Sequence, residues 1–381
     1  GDNQTGGNVN LAVNSGDVSA TAGDVDLTVT TNSTGNTAGN ISLPAFTSSG
    51  GNFVNDVTLN LAGTTAGTLT LNGSISLDAG TDAADVAVSG GGAVLVAATL
   101  TIDTEDGGDG DGGSIDLGTG MVAAAALGLV LLMDARGNGT GGNIDFGQVG
   151  NNAASNNFLN RFAARTEGTG TITIDADVST DGTNAEPTVE LDGRVVVGAN
   201  VTVDTHQTGL TAGNIDLSEA RAFANGTNRT LTLNASGTGT GGNVSLSTFD
   251  NGGAALFVNS LSVSTNGGTT DGVVTLNENI QLGDNGTVTS SSLTFTGGGD
   301  VVISDDSAGT PLSINLGTII DGTAGGSIDF GGATVSADAA GQELTISTSH
   351  GDAGDTGGNV SNLAAVNNDG GFFLDTLTIN M

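Results

Sequence analysis

The sequence predicts an all-β chain wound as a parallel β-helix, a β-solenoid of about 16 coils if each coil takes roughly 20 to 25 residues. Three observations carry that reading. A short phrase of Gly-Gly, Asn or Ser, aliphatic, polar, apolar returns eight times. Its copies fall in pairs, and the pairs come back after about a hundred residues. Between them, short segments alternate apolar with polar side chains.

The phrase reads "TGGNVNL" at Thr5, "TAGNISL" at Thr37, "DGGSIDL" at Asp111, "TGGNIDF" at Thr140, "TAGNIDL" at Thr211, "TGGNVSL" at Thr240, "AGGSIDF" at Ala324 and "TGGNVSN" at Thr356. Numbered by its Asn or Ser (8, 40, 114, 143, 214, 243, 327 and 359), it is spaced by 32, 74, 29, 71, 29, 84 and 32 residues. The pairs thus recur after 106, 100 and 113 residues. Copies run approximately 5–110, 111–210 and 211–322, with a partial fourth at 323–381. Self-similarity of this kind marks one stacked architecture, here one continuous solenoid over 1–381 without a separate catalytic domain. Each super-repeat is expected to hold four or five coils.

The strands follow in the same register. An aromatic-led segment comes after the second phrase of each pair: "FVNDVTL" at Phe53, "FLNRFAA" at Phe158, "FVNSLSV" at Phe257 and "FLDTLTI" at Phe373. Between the two phrases of a pair lie "VDLTVTT" at Val25, "LVLLMDA" at Leu129, "LTLNASG" at Leu231 and "LTISTSH" at Leu344. Later in the full copies come "LTLNGSISL" at Leu69, "ITIDADV" at Ile172 and "VTLNENIQL" at Val274. A period of two with one apolar face is a strand pattern, and no amphipathic helical stretch competes with it. Asn-Gly breaks at Asn72, Asn138, Asn225, Asn251, Asn266 and Asn285 supply turns that accept positive φ.

A hairpin sandwich would also suit many short strands. Stacking is preferred because the same residue type returns to the same corner, copy after copy, and stacked repeats bury what one repeat alone cannot. Asn8, Asn40, Asn143, Asn214, Asn243 and Asn359 are expected to form an internal or turn ladder of side chains bonded to their neighbours above and below, as in cross-β packing. Ser114 and Ser327 are its imperfect rungs. Phe53, Phe158, Phe257 and Phe373 are expected to stack as core rungs.

Composition narrows the function. Among 381 residues there are 41 carboxylates against six Arg and no Lys, a formal charge of −35. Phosphate backbones and anionic membranes both demand basic residues, so nucleic acid and membrane docking are excluded as partners. Without Cys there is neither a disulfide frame nor a thiol site. The apolar run Met121–Met133 is too short for a helical membrane span and falls in a strand slot. Regular alternation of Val, Ile and Leu argues against disorder despite 66 Gly.

Catalytic constellations are missing. His206 and His350 lie near corners of different copies, outside any zinc spacing, and no Ser–His–Asp or G-x-S-x-G arrangement occurs. The densest acidic run, Asp103 to Gly113, makes Asp103, Asp106, Asp109 and Asp111 the candidate calcium ligands, although Gly112 stands where a calcium-roll Asp belongs. Calcium is the one cofactor that this run leaves open. N-x-Ser/Thr sequons, as at Asn32, Asn225 and Asn228, arise by chance in so Asn- and Thr-rich a chain.

The rungs "GGNVSL", "LSVST" and "GVVTLNENIQL" resemble the β-helical shafts of filamentous-haemagglutinin-type adhesins and related giant bacterial surface proteins. That resemblance spans the chain in style. It implies secretion, a right-handed helix (as the crossover rule also favours) and a role as stalk, adhesin or matrix fibre at the cell surface. Neither the family's secretion domain nor a receptor-binding tip is recognisable here. Gly1 opens almost directly on a phrase, and the final strand slot is left without its successors. The expectation is therefore a slice of a longer shaft or, alternatively, a filament subunit stacking end to end, with copies of itself or further repeats as partners. A polysaccharide-binding or -cleaving β-helix, with surface glycans as partners, is the alternative from another class.

Overall fold

The structure, a computed structural model, describes residues 6–381 apart from 14–15, 24, 49–50, 79–82, 106–109, 152–156, 182–186, 206–209, 254–255, 284–289, 305–309, 317–324, 349–356 and 368–371. The described residues form strands and no helix, and the named strands pair in parallel. This is a β-solenoid. Two compact units divide the chain, Gly1–Thr180 with Asp192–Arg194, and Asp181–Leu191 with Val195–Met381.

Most coils carry three strands, and in some a single long strand such as Asn214–Ala224 spans two faces. In the first unit one coil holds Leu69–Leu71, Ile75–Ser76 and Val86–Ser89, and the next holds Val94–Val96, Leu100–Asp103 and Ile115–Asp116. Successive coils then stack like on like. Leu69, Val94, Val122, Val149 and Val178 make one column, Ile75, Ile102, Met133 and Ala164 a second, and Val57, Val86, Ile115, Ile144 and Ile172 a third. All are buried. In the second unit the columns run Leu231–Leu261–Leu293–Ile328, Val244–Val274–Val301–Val335 and Ile280–Ile314–Ile346. Each buried Leu, Ile or Val contributes about 1.5–3 kcal/mol, so a column gains with every coil added.

The coils are longer than expected. Between paired strands the step runs from 25 (Leu69 to Val94) to 35 (Leu293 to Ile328), near 30 overall. The count is accordingly closer to ten than to sixteen. The segments "LTLNGSISL" and "VTLNENIQL" explain part of the difference. Each is two strands around a corner, Leu69–Leu71 with Ile75–Ser76 and Val274–Leu276 with Ile280–Gln281. At these corners Asn72 and Asn277 donate their side-chain amides to the carbonyls of Leu43 and Leu246 one coil back, both at 2.9 Å.

The super-repeat is out of step with the coil. In the first unit the phrases at Asn8 and Asn40 open strands of the column through Val9, Ile41, Leu69 and Val94. Those at Ser114 and Asn143 open strands of the Ile115–Ile144–Ile172 column. One copy therefore advances three coils and two further strands. The second unit repeats the step, from Ile215, Val244, Val274 and Val301 to the Ile328–Val360 column. The expected four or five coils per copy is corrected to three and two-thirds. All three columns accept the same corner because the corner is set by glycine backbone, not by a side chain particular to one face.

The apolar run Met121–Met133 resolves into strands Val122–Ala124 and Val130–Asp134. No helix of the described residues is long and apolar enough to cross a membrane.

Candidate functional site

The chemistry of this chain concentrates at its corners. Where a strand ends, a buried Thr turns inward and donates its hydroxyl to the carbonyl of the second Gly of the phrase. Thr31 reaches Gly39 at 2.7 Å, Thr104 reaches Gly113 at 2.8 Å and Thr205 reaches Gly213 at 2.7 Å. Gly39 returns its own N–H to the Thr31 carbonyl at 3.0 Å, which closes the corner. The glycine itself is required by close approach: a Cβ on Gly39, Gly67, Gly92 or Gly120 would overlap the carbonyl of Gly7, Gly39, Gly67 or Gly92 respectively.

Immediately after this glycine stands the Asn of the phrase. Asn8 Oδ1 accepts the N–H of Asn40 at 2.8 Å, and Asn40 Oδ1 accepts that of Thr68 at 2.9 Å. Asn214 Oδ1 likewise receives Asn243 N–H at 2.8 Å, and Asn243 Oδ1 receives Val273 N–H at 2.9 Å. Asn143 Oδ1 receives Thr171 N–H at 3.0 Å, while Asn359 N–H reaches Ser327 Oγ at 3.5 Å. These bonds run from side-chain oxygen to the backbone N–H of the next coil, on the outside. Of the expected internal or turn ladder, these are bonds at the turn, and they join side chain to backbone in place of amide on amide. An acceptor is all that the position needs, so Asp56 and Asp85 serve in intervening coils: Asp85 N–H bonds Asp56 Oδ1 at 2.9 Å, and Ser114 N–H bonds Asp85 Oδ1 at 2.6 Å. Sequence reasoning missed both the carboxylate rungs and the Thr partner. The signal was present, since Thr31, Thr104, Thr205 and Thr348 each precede a phrase Asn or Ser by nine to eleven residues.

The expected Phe ladder is also corrected. Phe53 and Phe158 lie 105 residues apart in one unit, and Phe257 and Phe373 lie 116 apart in the other, more than three coils in each case. None can touch the next. Phe158 and Phe257 are buried, Phe53 is half-buried and Phe373 is 60% exposed on the last coil. Among the described residues a coil-to-coil ring stack is made by Phe295 on Phe330, with centroids 5.7 Å apart.

Two grooves in the first unit are acidic. One, of about 640 Å³, is lined by Asp116, Asp145 and Asp175 from successive coils, together with Ser89, Thr119 and Gln148. Partial burial, then the negative charges of Asp116 and Asp175, push the Asp145 carboxyl above its ordinary value. The other, of about 390 Å³, is lined by Asp103, Glu105, Asp134, Arg136 and Glu167. Its carboxylates are largely engaged by the fold. Arg136 pairs with Asp134 at 2.6 Å, Glu167 Oε1 accepts the N–H groups of Gly137 and Gly139 at 3.1 and 3.2 Å, and Asp103 Oδ1 accepts that of Glu105 at 3.0 Å. Asp134, by hydrogen bond, raises the Arg136 guanidinium still further above its ordinary value.

Of the candidate calcium ligands, Asp103 lines that groove and Asp111 is exposed beside it, while Asp106 and Asp109 lie outside the described residues. His206 and His350 lie outside them too. Among the described residues no three carboxylates or imidazoles converge on a position for a metal ion. A scan against protein-family models and searches of curated proteins and of solved structures each find no match to this chain.

Proposed function

We propose that this chain is a structural, extracellular repeat protein, a shaft segment of a giant adhesin, stalk or surface fibre of the filamentous-haemagglutinin type on a bacterial surface. One observation carries the reading: the corner of Thr hydroxyl, stacked glycine and outward acceptor recurs in both units, and its acceptor bonds the backbone of the neighbouring coil. Repetition of a mechanical joint serves stiffness, whereas a catalytic site is needed once. The charge of −35 keeps such shafts hydrated and apart. Antibodies raised against these coils should label intact, unpermeabilised cells of the source organism, and loss of the encoding gene should remove surface fibres or attachment. Signal confined to permeabilised cells would sink the proposal.

A second reading has its own observation. The groove of Asp116, Asp145 and Asp175 stacks three carboxylates beside hydroxyl and amide groups, an arrangement suited to holding or cleaving a polysaccharide. Release of reducing ends from a polysaccharide panel, abolished in Asp145→Asn, would support it. Neither binding nor release across the panel would remove it.

A further inference from the structure

Six Asn-Gly pairs punctuate the chain, and five lie among the described residues. Asn-Gly is the dipeptide most prone to deamidation, because glycine leaves its nitrogen unshielded. Reaction needs that nitrogen free and the Asn side chain free to fold back onto it. In four of the pairs the fold holds one or the other. The Asn72 amide donates to Ser42 Oγ at 3.0 Å and to the Leu43 carbonyl at 2.9 Å. Gly139 N–H is held by Glu167 Oε1 at 3.2 Å, Gly252 N–H by Asp250 Oδ1 at 2.7 Å and Gly267 N–H by Asp271 Oδ1 at 2.7 Å.

The fifth pair differs. Asn225 is exposed in the turn between strands Asn214–Ala224 and Thr230–Asn234. Its backbone N–H reaches the Val197 carbonyl at 3.4 Å, but neither its side chain nor Gly226 N–H is engaged by a described residue. A second, independent feature marks this turn. The Arg229 guanidinium lies against Gly226, so that a Cβ there would sit 2.7 Å from Nη2 and 2.8 Å from Nε. Arg229 Nε is buried without a hydrogen-bond partner.

The geometry points to Asn225–Gly226 as a site of spontaneous deamidation, assisted by Arg229. Hydroxide takes the Gly226 N–H proton and becomes water, and the nitrogen attacks Asn225 Cγ. The new N–Cγ bond replaces Cγ–Nδ2, and ammonia leaves with a proton from water, which returns the hydroxide. Water then opens the resulting five-membered imide at either carbonyl and leaves aspartate or isoaspartate. The neighbouring guanidinium stabilises both the amide anion and the oxyanion that forms at Cγ, as a cation placed beside developing negative charge does. It also receives the product: a new carboxylate beside Arg229 meets a cation instead of adding to the repulsion of a highly acidic chain.

Peptide mapping of the whole folded chain, aged at mildly alkaline pH, tests this. Asn225 should lose ammonia about tenfold faster than Asn72, Asn138, Asn251 or Asn266, the weight of one ordinary hydrogen bond in the protected pairs. In strong urea the five rates should converge. R229Q should slow Asn225 severalfold in the folded chain and leave the urea rate unchanged. Any of the four others matching Asn225 in the folded chain, or an Asn225 rate that R229Q leaves untouched, would overturn the proposal.

Discussion

Thr205 donates its hydroxyl to the carbonyl oxygen of Gly213 at 2.7 Å, and both residues are buried. The Gly213 carbonyl would otherwise face the interior without this donor, and leaving a buried acceptor unmade costs about 1–3 kcal/mol. Thr205→Val keeps the shape and removes the donor. It should destabilise the second unit by that amount in urea titration, while Thr205→Ser stays near the parent. An equal loss in both variants would point to packing and discard the hydrogen bond.

A harder failure is expected at the stacked glycines. Gly120→Ala puts a methyl group onto the Gly92 carbonyl, which is backbone and has no rotamer to yield. Forcing coils apart in this way should cost about 1–3 kcal/mol or more, as overpacking does. Gly23→Ala is the control, since a Cβ there meets open space. Thermal melts should separate the two variants clearly, and similar melting temperatures would refute the close approach.

Much of this was legible in the sequence, and what was misread has a physical reason. Alternation located the strands around Leu129, Leu231 and Leu344 because one face of each is buried and the other only partly so, and the strand at Val25, where only Val29 is buried. Coil length was misjudged although it stood in the short gaps: Asn8 to Asn40 and Asn214 to Asn243 are single coils, 32 and 29 residues. Reading "LTLNGSISL" as one strand hid the corner at Asn72, since period-two alternation passes through a turn that restores the same inward side. The Phe residues recur with the super-repeat and not with the coil, so their regular spacing could not signal contact. The groove at Asp145 was invisible because Asp116, Asp145 and Asp175 come together only once the coil length is known.

The outward ladder makes a distinction that composition alone would not. Asn243 Oδ1 accepts the Val273 N–H, and the amide nitrogen is not part of that bond. Asn243→Asp preserves the acceptor, as Asp85 does elsewhere, and should shift stability by no more than about 0.5 kcal/mol. Asn243→Leu removes the acceptor and should cost about 0.5–1.5 kcal/mol, the net value of one hydrogen bond. Hydrogen exchange at the Val273 amide should accelerate in the Leu variant alone. Equal acceleration in both would restore an amide-dependent ladder.

Asp145 gives the chain a pH dependence of definite sign. Its carboxyl is raised by partial burial and by Asp116 and Asp175, so the folded chain binds its proton more tightly than the unfolded chain does. Between the ordinary carboxylate value of 3.8 and the raised one, the folded state holds the extra proton, and stability falls as pH rises through that window. Above it the full penalty is present. Asp145→Asn removes the penalty and should raise the melting temperature of the first unit slightly at neutral pH, with the gain vanishing below the ordinary carboxylate value. The shift should stay small, because solvent reaches the groove and screens its charges. A variant that melts lower than the parent at neutral pH would instead mean that the Asp145 carboxylate makes a favourable contact that outweighs the repulsion.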